Sequence, residues 1–390
     1  MGKKRVPEIR FKGFEGEWEE RELRTLSSLI TKGTSPRDTN GERIVNFIKI
    51  ENISALSGEI KTSTKITLKE HEGYLKRSQL QEDDVLFSIA GTLGRVSVVS
   101  KDILPANTNQ ALAIIRFQKG NIRFVTTFLK GKAISKYLKK NPTVGAQPNL
   151  SLEQVGSLDI SLPLAENEQS QIGTFFQNLD SLITLHQRKH DKLSTVKKAM
   201  LEKMFPKEGE DVPEIRFKGF TGKWEKKRLG EVCDEFHSGK FIKAEGIKSH
   251  SRYPVFGGNG LRGYTDTYNH AGTYALIGRQ GALCGNVNIS YGKAYFTEHA
   301  IAVSANKNNN TVFLFYVLVK MNLRQYSGQS AQPGLAVNKI IELTPKLPEY
   351  KEQSQIAAFF QHLESLISLH QRELDKLKNI KKACLEKMFV

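Results

Sequence analysis

The sequence predicts a mixed α/β fold in which one plan is used twice: an α+β module followed by a long helix, then a second module and a second helix. Three observations support this prediction. Segments of the first half recur almost letter for letter in the second half. The stretch that closes each half has the composition of a long helix. The remaining residues form short apolar runs separated by glycine-rich turns, which is typical of small β-sheets.

The repeat defines the predicted domain organisation. Residues 6–14 (VPEIRFKGF) recur as 212–220, and residues 168–172 (EQSQI) recur as 352–356. Both halves end in LEKMF, whereas the inserts 27–140 and 233–325 share only their hydrophobic texture. A tandem duplication with neutral drift of the inserts is the alternative to one scaffold with two different surfaces. We predict an N-terminal segment with the first module at 1–165, a central helix at 166–205, a linker with the second module at 206–348, and a C-terminal helix at 349–390.

The two closing stretches are predicted to be helical rods with a broad apolar face. Residues 166–204 contain no proline and one glycine, and at about 1.5 Å per residue they would extend roughly 58 Å. Apolar residues recur at heptad positions a, d and e, so each helix is expected to pack on a module or a partner as well as on the other helix. The predicted interface residues are Ile172, Phe175, Phe176, Leu179, Leu182, Ile356, Phe359, Phe360, Leu363 and Leu366. His186 and His370 occupy matched positions and are interpreted as a polar pair that sets the register, not as metal ligands.

The net charge of +17 predicts a polyanionic partner. Residues 21–165 contain 21 Lys and Arg against 13 Asp and Glu, and residues 227–349 contain 14 against 8. Most of the excess charge therefore lies in the two modules and not in the helices. Charge alone does not distinguish DNA from RNA or an anionic membrane, but together with the two-module layout it favours a nucleic acid.

Each module is predicted to contain many short strands joined by glycine-rich turns. In the first module, the strand 84–90 is followed by the turn 91–95, and in the second the strand 274–277 is followed by the turn 278–282. Glycine allows close backbone approach, while Arg, Gln and Asn side chains can form paired hydrogen bonds with base edges. Ordinary hairpin turns are the alternative for each of them. The candidate DNA-binding residues are Thr92, Arg95, Asn107, Asn109, Gln147, Asn259, Arg262, Tyr264, Arg279, Gln280 and Gln332.

Several classes of protein are not expected. The longest apolar run, 312–319, is too short to cross a bilayer, and the charged opening does not match a secretory signal. The three cysteines form no CxxC pair and have no histidine cluster nearby, so we expect a cytoplasmic protein without a metal site. Neither a phosphate-binding loop nor the N/D-P-P-Y/F turn of adenine methyltransferases occurs, so we expect no catalytic residues and no cofactor of its own.

The alternation of divergent modules with repeated helices resembles the specificity subunits of type I restriction–modification systems. The resemblance covers essentially the whole chain and includes the FKGF-x-G-x-W opening, DVLFSIAGTLG at 84–94, FGGNGLRGY at 256–264 and GRQGALCGNV at 278–287. It implies two target-recognition domains, near 20–165 and 226–348, separated by an antiparallel coiled coil of the two helices with a pseudo-two-fold internal repeat.

The resemblance also implies a function and partners. Each domain would recognise one half of a bipartite, asymmetric site in double-stranded DNA, and the helices would set the unread spacer. The helices would dock two methyltransferase subunits, which bind S-adenosylmethionine, and restriction subunits, which use ATP and Mg²⁺ for translocation and cleavage. The chain itself would not be an enzyme and would not contact a membrane. A coiled-coil scaffold that binds RNA or non-specific DNA is the alternative.

Overall fold

The computed structural model of the protein describes residues 6–37, 40–55, 57–140, 149–281, 283–327 and 334–390. The chain divides into two compact units. Unit 1 comprises Met1–Arg188 together with His370–Val390, and unit 2 comprises Lys189–Leu369. Each unit therefore contains one module, the beginning of one long helix and the end of the other, so the units do not follow the linear order of the predicted segments.

In unit 1 short strands alternate with short helices. The strands are β1 (Glu19–Glu22), β2 (Ser27–Lys32), β3 (Arg43–Ile48), β4 (Lys65–Thr67), β5 (Val85–Ser88), β6 (Val96–Val98), β7 (Ala106–Thr108), β8 (Leu112–Phe117) and β9 (Asp159–Leu162). The helices are α1 (Leu23–Leu26), α2 (Leu68–Glu72), α3 (Ile122–Leu129), α4 (Lys132–Lys140), α5 (Leu152–Gly156) and the long α6 (Glu166–Lys203), which ends in unit 2.

Unit 2 begins with the end of α6 and continues through the second module. Its strands are β10 (Glu225–Lys226), β11 (Cys233–Ser238), β12 (Tyr253–Gly257), β13 (Gly260–Thr265), β14 (His270–Gly278), β15 (Val287–Phe296), β16 (Ala300–Ala305) and β17 (Lys346–Leu347). Its helices are α7 (Leu229–Val232), α8 (Thr311–Lys320), α9 (Val337–Ile340) and the long α10 (Tyr350–Lys387), which ends in unit 1.

The two modules share one sheet topology although their sequences have no common register. In unit 1 one sheet has the order β2-β8-β5-β6 and a second has β4-β3-β7, and in unit 2 a single sheet has the order β11-β16-β14-β15-β12-β13. In both units the inner strand β3 or β12 pairs with one antiparallel and one parallel neighbour. The first strand of each sheet, β2 or β11, also has a register shift at its beginning. The inserts have therefore diverged in sequence while keeping a matching strand order, in which the single strand β15 takes the place that β6 and β7 have in unit 1.

The long helices pair antiparallel in each unit. In unit 1, His186 on α6 lies beside His370 on α10, with ring centroids 5.1 Å apart, and the Lys381 ammonium lies 2.5 Å from the Asp180 carboxylate. In unit 2, Lys197 on α6 donates to Glu364 on α10 at 2.7 Å. Higher numbers on one helix meet lower numbers on the other, which confirms the predicted antiparallel pairing and the mixed α/β fold class.

The apolar face of each helix is buried mainly against its own module. On α6 the buried apolar side chains are Ile172, Phe176, Leu179 and Ile183, and the first three belong to the same core as β5, β8 and α3. On α10 the corresponding Ile356, Phe360 and Leu363 belong to the core of unit 2. Phe175 and Phe359 are half-buried and make edge-to-face contacts with Phe11 and Phe217, Leu366 is half-buried, and Leu182 is 44% exposed. The wider stripe thus packs on a module, and of the predicted interface residues on the first helix Leu182 is the exposed one.

Within each unit, the VPEIRF segment and the EQSQI segment are joined by a buried ion pair. In unit 1 the Arg10 guanidinium donates to both carboxylate oxygens of Glu168, at 2.6 and 2.7 Å, and Glu168 is 1% exposed. The neighbouring Ile9 amide donates to the carbonyl oxygen of Lys387, at the end of α10. The VPEIRF segment therefore connects the beginning of one long helix to the end of the other within this unit.

Unit 2 repeats this arrangement in detail. Arg216 donates to both oxygens of Glu352 at 2.6 Å, and the Ile215 amide donates to the carbonyl oxygen of Lys203. The next residue along each helix, Gln169 or Gln353, accepts from the backbone amide of the residue just before α3 or α8, at 3.0 Å in both units. The residues that are identical in the two copies of the repeat thus attach α3 and α8 to the long helices.

Replacing Arg216 with Met should leave the fully buried Glu352 carboxylate without its partner. We expect the free energy of unfolding of unit 2 to fall by about 3 kcal/mol, because an unpaired buried charge is strongly destabilising. Urea unfolding followed by the fluorescence of Trp224, in a Trp18→Phe background, would measure this unit. The control is Arg228→Met, whose ion pair with Glu342 is exposed and should matter little. Equal losses in the two variants would contradict a structural role for the buried pair.

Candidate nucleic-acid interface

Four loops of unit 2 meet at one end of its sheet. Arg279, after β14, donates its amide to the carbonyl oxygen of His299 at 2.9 Å, and its guanidinium lies 3.3 Å from the Ser238 hydroxyl at the end of β11. The β12–β13 turn lies against the same place, since Gly258 has room for no side chain beside His299 and Gly278. Residues far apart in sequence therefore form one surface with several polar groups.

This convergence depends on a glycine after the first strand of the sheet. The Gly239 amide donates to the carbonyl oxygen of Ala300, and a Cβ at Gly239 would overlap the carbonyl oxygens of Phe296 and Thr297. In unit 1, Gly33 follows β2 and is packed in the same way against the carbonyl oxygens of Thr108 and Asn109. The two modules therefore build the same loop cluster with unrelated sequences.

The structure brings most of the candidates of the second module to this surface. Asn259, Arg262 and Gln280 are exposed, and Arg279 is half-buried. The Arg262 stem lies over Gly257, where a side chain would overlap it. Tyr264 is half-buried and stacks on His250, with ring centroids 6.5 Å apart, so its ring is already in contact with the protein.

In the first module two of the candidates have structural roles. Asn107 has no exposed surface, and its amide donates to the Leu75 carbonyl and the Ser78 hydroxyl. The Arg95 guanidinium donates to the carbonyl oxygens of Ile50 and Ile53, both at 3.0 Å. Asn107 and Arg95 are therefore structural residues and not part of the candidate interface, because their hydrogen-bonding groups hold neighbouring loops together.

The remaining candidates of the first module lie closer to solvent. Thr92 is exposed and Asn109 is half-buried beside Gly33. Gln147 and Gln332 lie outside the described residues.

Sequence reasoning missed several residues that flank the two loop clusters. In unit 2, Phe241 is 68% exposed and lies between the exposed Lys240 and Lys243. In unit 1, Arg37 covers the ring of Tyr74 with 3.8 Å between guanidinium carbon and ring centroid, and Arg77 donates to Thr34. Basic and aromatic residues cluster after Gly239 in unit 2 and around Tyr74 in unit 1, and this pattern could have identified them from the sequence. Such residues suit contacts with phosphates more than contacts with base edges.

The three cysteines lie in environments that do not activate a thiol. All three cysteines are free, and burial raises the pKa of the Cys233 thiol to about 12, with a smaller contribution from Asp234. Burial also raises the pKa of Cys284 and Cys384, so none of these thiols is activated as a nucleophile. Among the described residues, no helix has the length and apolarity needed to cross a bilayer.

Substituting Gly239 with Ala should disturb the loop cluster of unit 2. The new methyl group would displace backbone carbonyls, and we expect unit 2 to lose about 1–3 kcal/mol of stability, as overpacked sites do. Trp224 fluorescence in the Trp18→Phe background would measure the loss. Gly222→Ala is the matched control, because nothing lies within 4 Å of a Cβ at that position. If the stability of unit 2 were the same in Gly239→Ala as in the parent, the close contact between Gly239 and the backbone carbonyls would not be required.

Comparisons with known proteins agree with this architecture. The profile of the type I restriction modification DNA specificity domain matches residues 15–195 and 221–379. The chain is 30% identical over 318 residues to the type I restriction enzyme EcoprrI specificity subunit of Escherichia coli, covering 78% of this chain and 75% of that protein. It is 23% identical over 337 residues to the type I restriction enzyme MjaVIII specificity subunit of Methanocaldococcus jannaschii, covering 78% and 77%.

A solved structure has the same fold over its whole length. The crystal structure of the type I restriction–modification system S subunit from M. genitalium matches with a TM-score of 0.66 and 17% identity over 99% of each chain. The identity is low, so this match concerns the fold. The family profile covers both modules and most of both long helices, and on that ground the chain belongs to the family of type I restriction–modification specificity subunits.

Proposed function

We propose that this chain is a non-catalytic subunit that recognises a bipartite DNA site, one block with each module. The observation that carries the proposal is the pair of loop clusters, which have the same topology and glycine-dependent packing but different side chains. Two surfaces of one design that differ in their hydrogen-bonding groups are suited to recognising two different short sequences.

In unit 2 the proposed contacts divide into two kinds. Asn259, Arg262 and Gln280 are exposed and have the donors and acceptors needed for base edges in the major groove. Lys240 and Lys243 flank them and suit phosphates, which supply affinity without sequence information. In unit 1 the corresponding groups are fewer among the described residues: Thr92 and Asn109 for bases, and Arg37 and Arg77 for phosphates.

The long helices supply docking positions for partners. Leu185 is 46% exposed on α6 in unit 1, and Leu369 is 44% exposed on α10 in unit 2. They occupy the same position of the repeated sequences LITLHQR and LISLHQR. Exposed leucines at equivalent positions of an internal repeat support two copies of one partner, which we infer to be methyltransferase subunits. S-adenosylmethionine, ATP and Mg²⁺ would be bound by the methyltransferase and restriction subunits, not by this chain.

The antiparallel pairing within each unit supports a spacer set by helix length. Two modules that face one side of a duplex need half-sites about one helical turn apart, roughly 10 bp from centre to centre. We therefore expect two short blocks separated by several unread base pairs.

The methylated motif of host DNA tests this division of roles. Inserting four residues after Lys192 adds about one turn, or ~6 Å of helix, which is close to two base-pair steps of about 3.4 Å. With the cognate methyltransferase subunit, the insertion should lengthen the spacer by one or two base pairs and leave both blocks unchanged. Replacing residues 233–325 with the module of a relative should change one block and keep the other. Methylome sequencing of the parent and both variants measures the result.

Two controls make the outcome decisive. Cells with this chain but without the methyltransferase subunit should show no new methylation, and methyl transfer there would contradict a non-catalytic role. A contiguous motif in the parent, or a module exchange that altered both blocks, would show that the modules do not act independently.

The docking positions can be tested separately. Leu185→Glu combined with Leu369→Glu should weaken binding of the methyltransferase subunit by roughly a hundredfold, because each carboxylate would be buried in an apolar interface. Size-exclusion chromatography and titration calorimetry measure the complex. Ser181→Glu with Ser365→Glu is the matched control, since both serines are exposed at equivalent helix positions. Normal assembly of the leucine variant would place the docking surface elsewhere.

A further inference from the structure

Three side chains of unit 2 that could bind a metal ion converge on the sheet face opposite α8. Glu235 and His237 lie on β11, and His270 lies on β14. Their ligand atoms, one from each side chain, all lie within 4.8 Å of one another. The His237 Nε2 and His270 Nε2 atoms are 3.3 and 3.8 Å from the same carboxylate oxygen of Glu235. The two histidines are far apart in sequence, so the cluster exists only in the folded sheet.

The hydrogen bonds around His270 determine which of its nitrogens carries the proton. Asn269 donates its amide nitrogen to the Phe296 carbonyl at 2.9 Å and accepts from the Phe296 amide at 2.8 Å, which fixes the orientation of the Asn269 carboxamide. Its oxygen is therefore the atom that lies 2.7 Å from His270 Nδ1. An oxygen acceptor requires a proton on Nδ1, and the lone pair of neutral His270 is consequently on Nε2.

His237 has the same tautomer for a similar reason. Its Nδ1 lies 3.1 Å from the backbone carbonyl oxygen of Ser238, which can only accept, so its Nε2 also carries the lone pair. The third group is the Glu235 carboxylate. The Tyr274 hydroxyl donates to its Oε1 atom at 2.9 Å, and the Oε2 atom faces the histidines. Three acceptor atoms thus face one another, and a metal cation between them would satisfy all three.

One of the separations already suits a small transition-metal ion, and the 3.8 Å separation would have to shorten by about 0.5 Å. Ligands at about 2.0–2.1 Å from a tetrahedral zinc ion lie about 3.3 Å apart, close to the shorter separation here. His270 is buried and stacks on Phe296 at 4.5 Å, whereas His237 is exposed and free to close on an ion.

We propose that Glu235, His237 and His270 form a binding site for one divalent transition-metal ion of the zinc class. Two imidazole nitrogens and a carboxylate oxygen are the donor set of this class, and the exposed side leaves a position for water. The ion connects β11 to β14 across β16. Because Ser238 follows His237 and contacts Arg279 at 3.3 Å, the site stiffens the strand end that contributes to the loop cluster of unit 2.

Metal titration of the full-length, tag-free chain tests the site. After treatment with a chelator and its removal, Zn²⁺ is titrated in competition with a chromophoric chelator, and Co²⁺ is added separately to record its visible absorption. We expect one equivalent of Zn²⁺ and the intense visible bands of four-coordinate Co²⁺. His237→Ala should weaken binding by more than about tenfold, since even residues behind the ligands contribute that much.

The choice of variants separates ligation from folding. His237 is exposed, so His237→Ala should keep its far-ultraviolet circular dichroism, and His270→Ala provides the second ligand. The matched control is His362→Ala, an exposed histidine of unit 2 on α10, and His370→Ala tests the other histidine pair. Both controls should retain the site. Binding that persists in His237→Ala, disappears in His362→Ala or His370→Ala, or is absent from the parent would overturn the proposal.

Discussion

A carboxylate with almost no exposed surface near the beginning of each long helix constrains the rest of the structure. An arginine of the VPEIRF segment forms two hydrogen bonds with each of these carboxylates, Glu168 and Glu352, and a buried charge that loses such a partner is strongly destabilising. The residue before each arginine binds the end of the other long helix through its backbone amide. Each unit therefore requires the beginning of one helix and the end of the other. The segments that support each module consequently come from distant parts of the sequence.

This constraint accounts for the pattern of repetition in the sequence. The repeated residues must form hydrogen bonds with polar groups at fixed positions. Gln169 and Gln353, for example, accept hydrogen bonds from the backbone amides just before α3 and α8. A change at such a position leaves a buried polar group without a partner, which costs more than the hydrogen bond contributes. The inserts meet their own buried requirements with different residues, such as Asn107 in unit 1, so they share topology but little sequence.

The architecture was largely predictable from the sequence, whereas the roles of individual side chains were not. The repeat, the helical stretches and the glycine turns led to the two modules and to both long helices, because these features depend on local pattern. Arg95 and Asn107 looked equally suited to base contacts, yet their partners, such as Ile50 and Leu75, come from distant segments. The heptad assignment likewise placed Leu182 in the predicted interface, whereas within this chain Leu182 is 44% exposed and its neighbour Ile183 is buried.

Shared topology also allows one module to acquire chemistry that the other lacks. Gly33 and Gly239 occupy equivalent places, so Leu29 and Thr31 on β2 correspond to Glu235 and His237 on β11. The register shifts at the beginning of both strands agree with this alignment. In unit 1 these positions supply an apolar side chain and a hydroxyl, and in unit 2 they supply a carboxylate and an imidazole. Because these side chains extend from the first strand of each sheet, such a change leaves the Arg–Glu pairs and the long helices untouched.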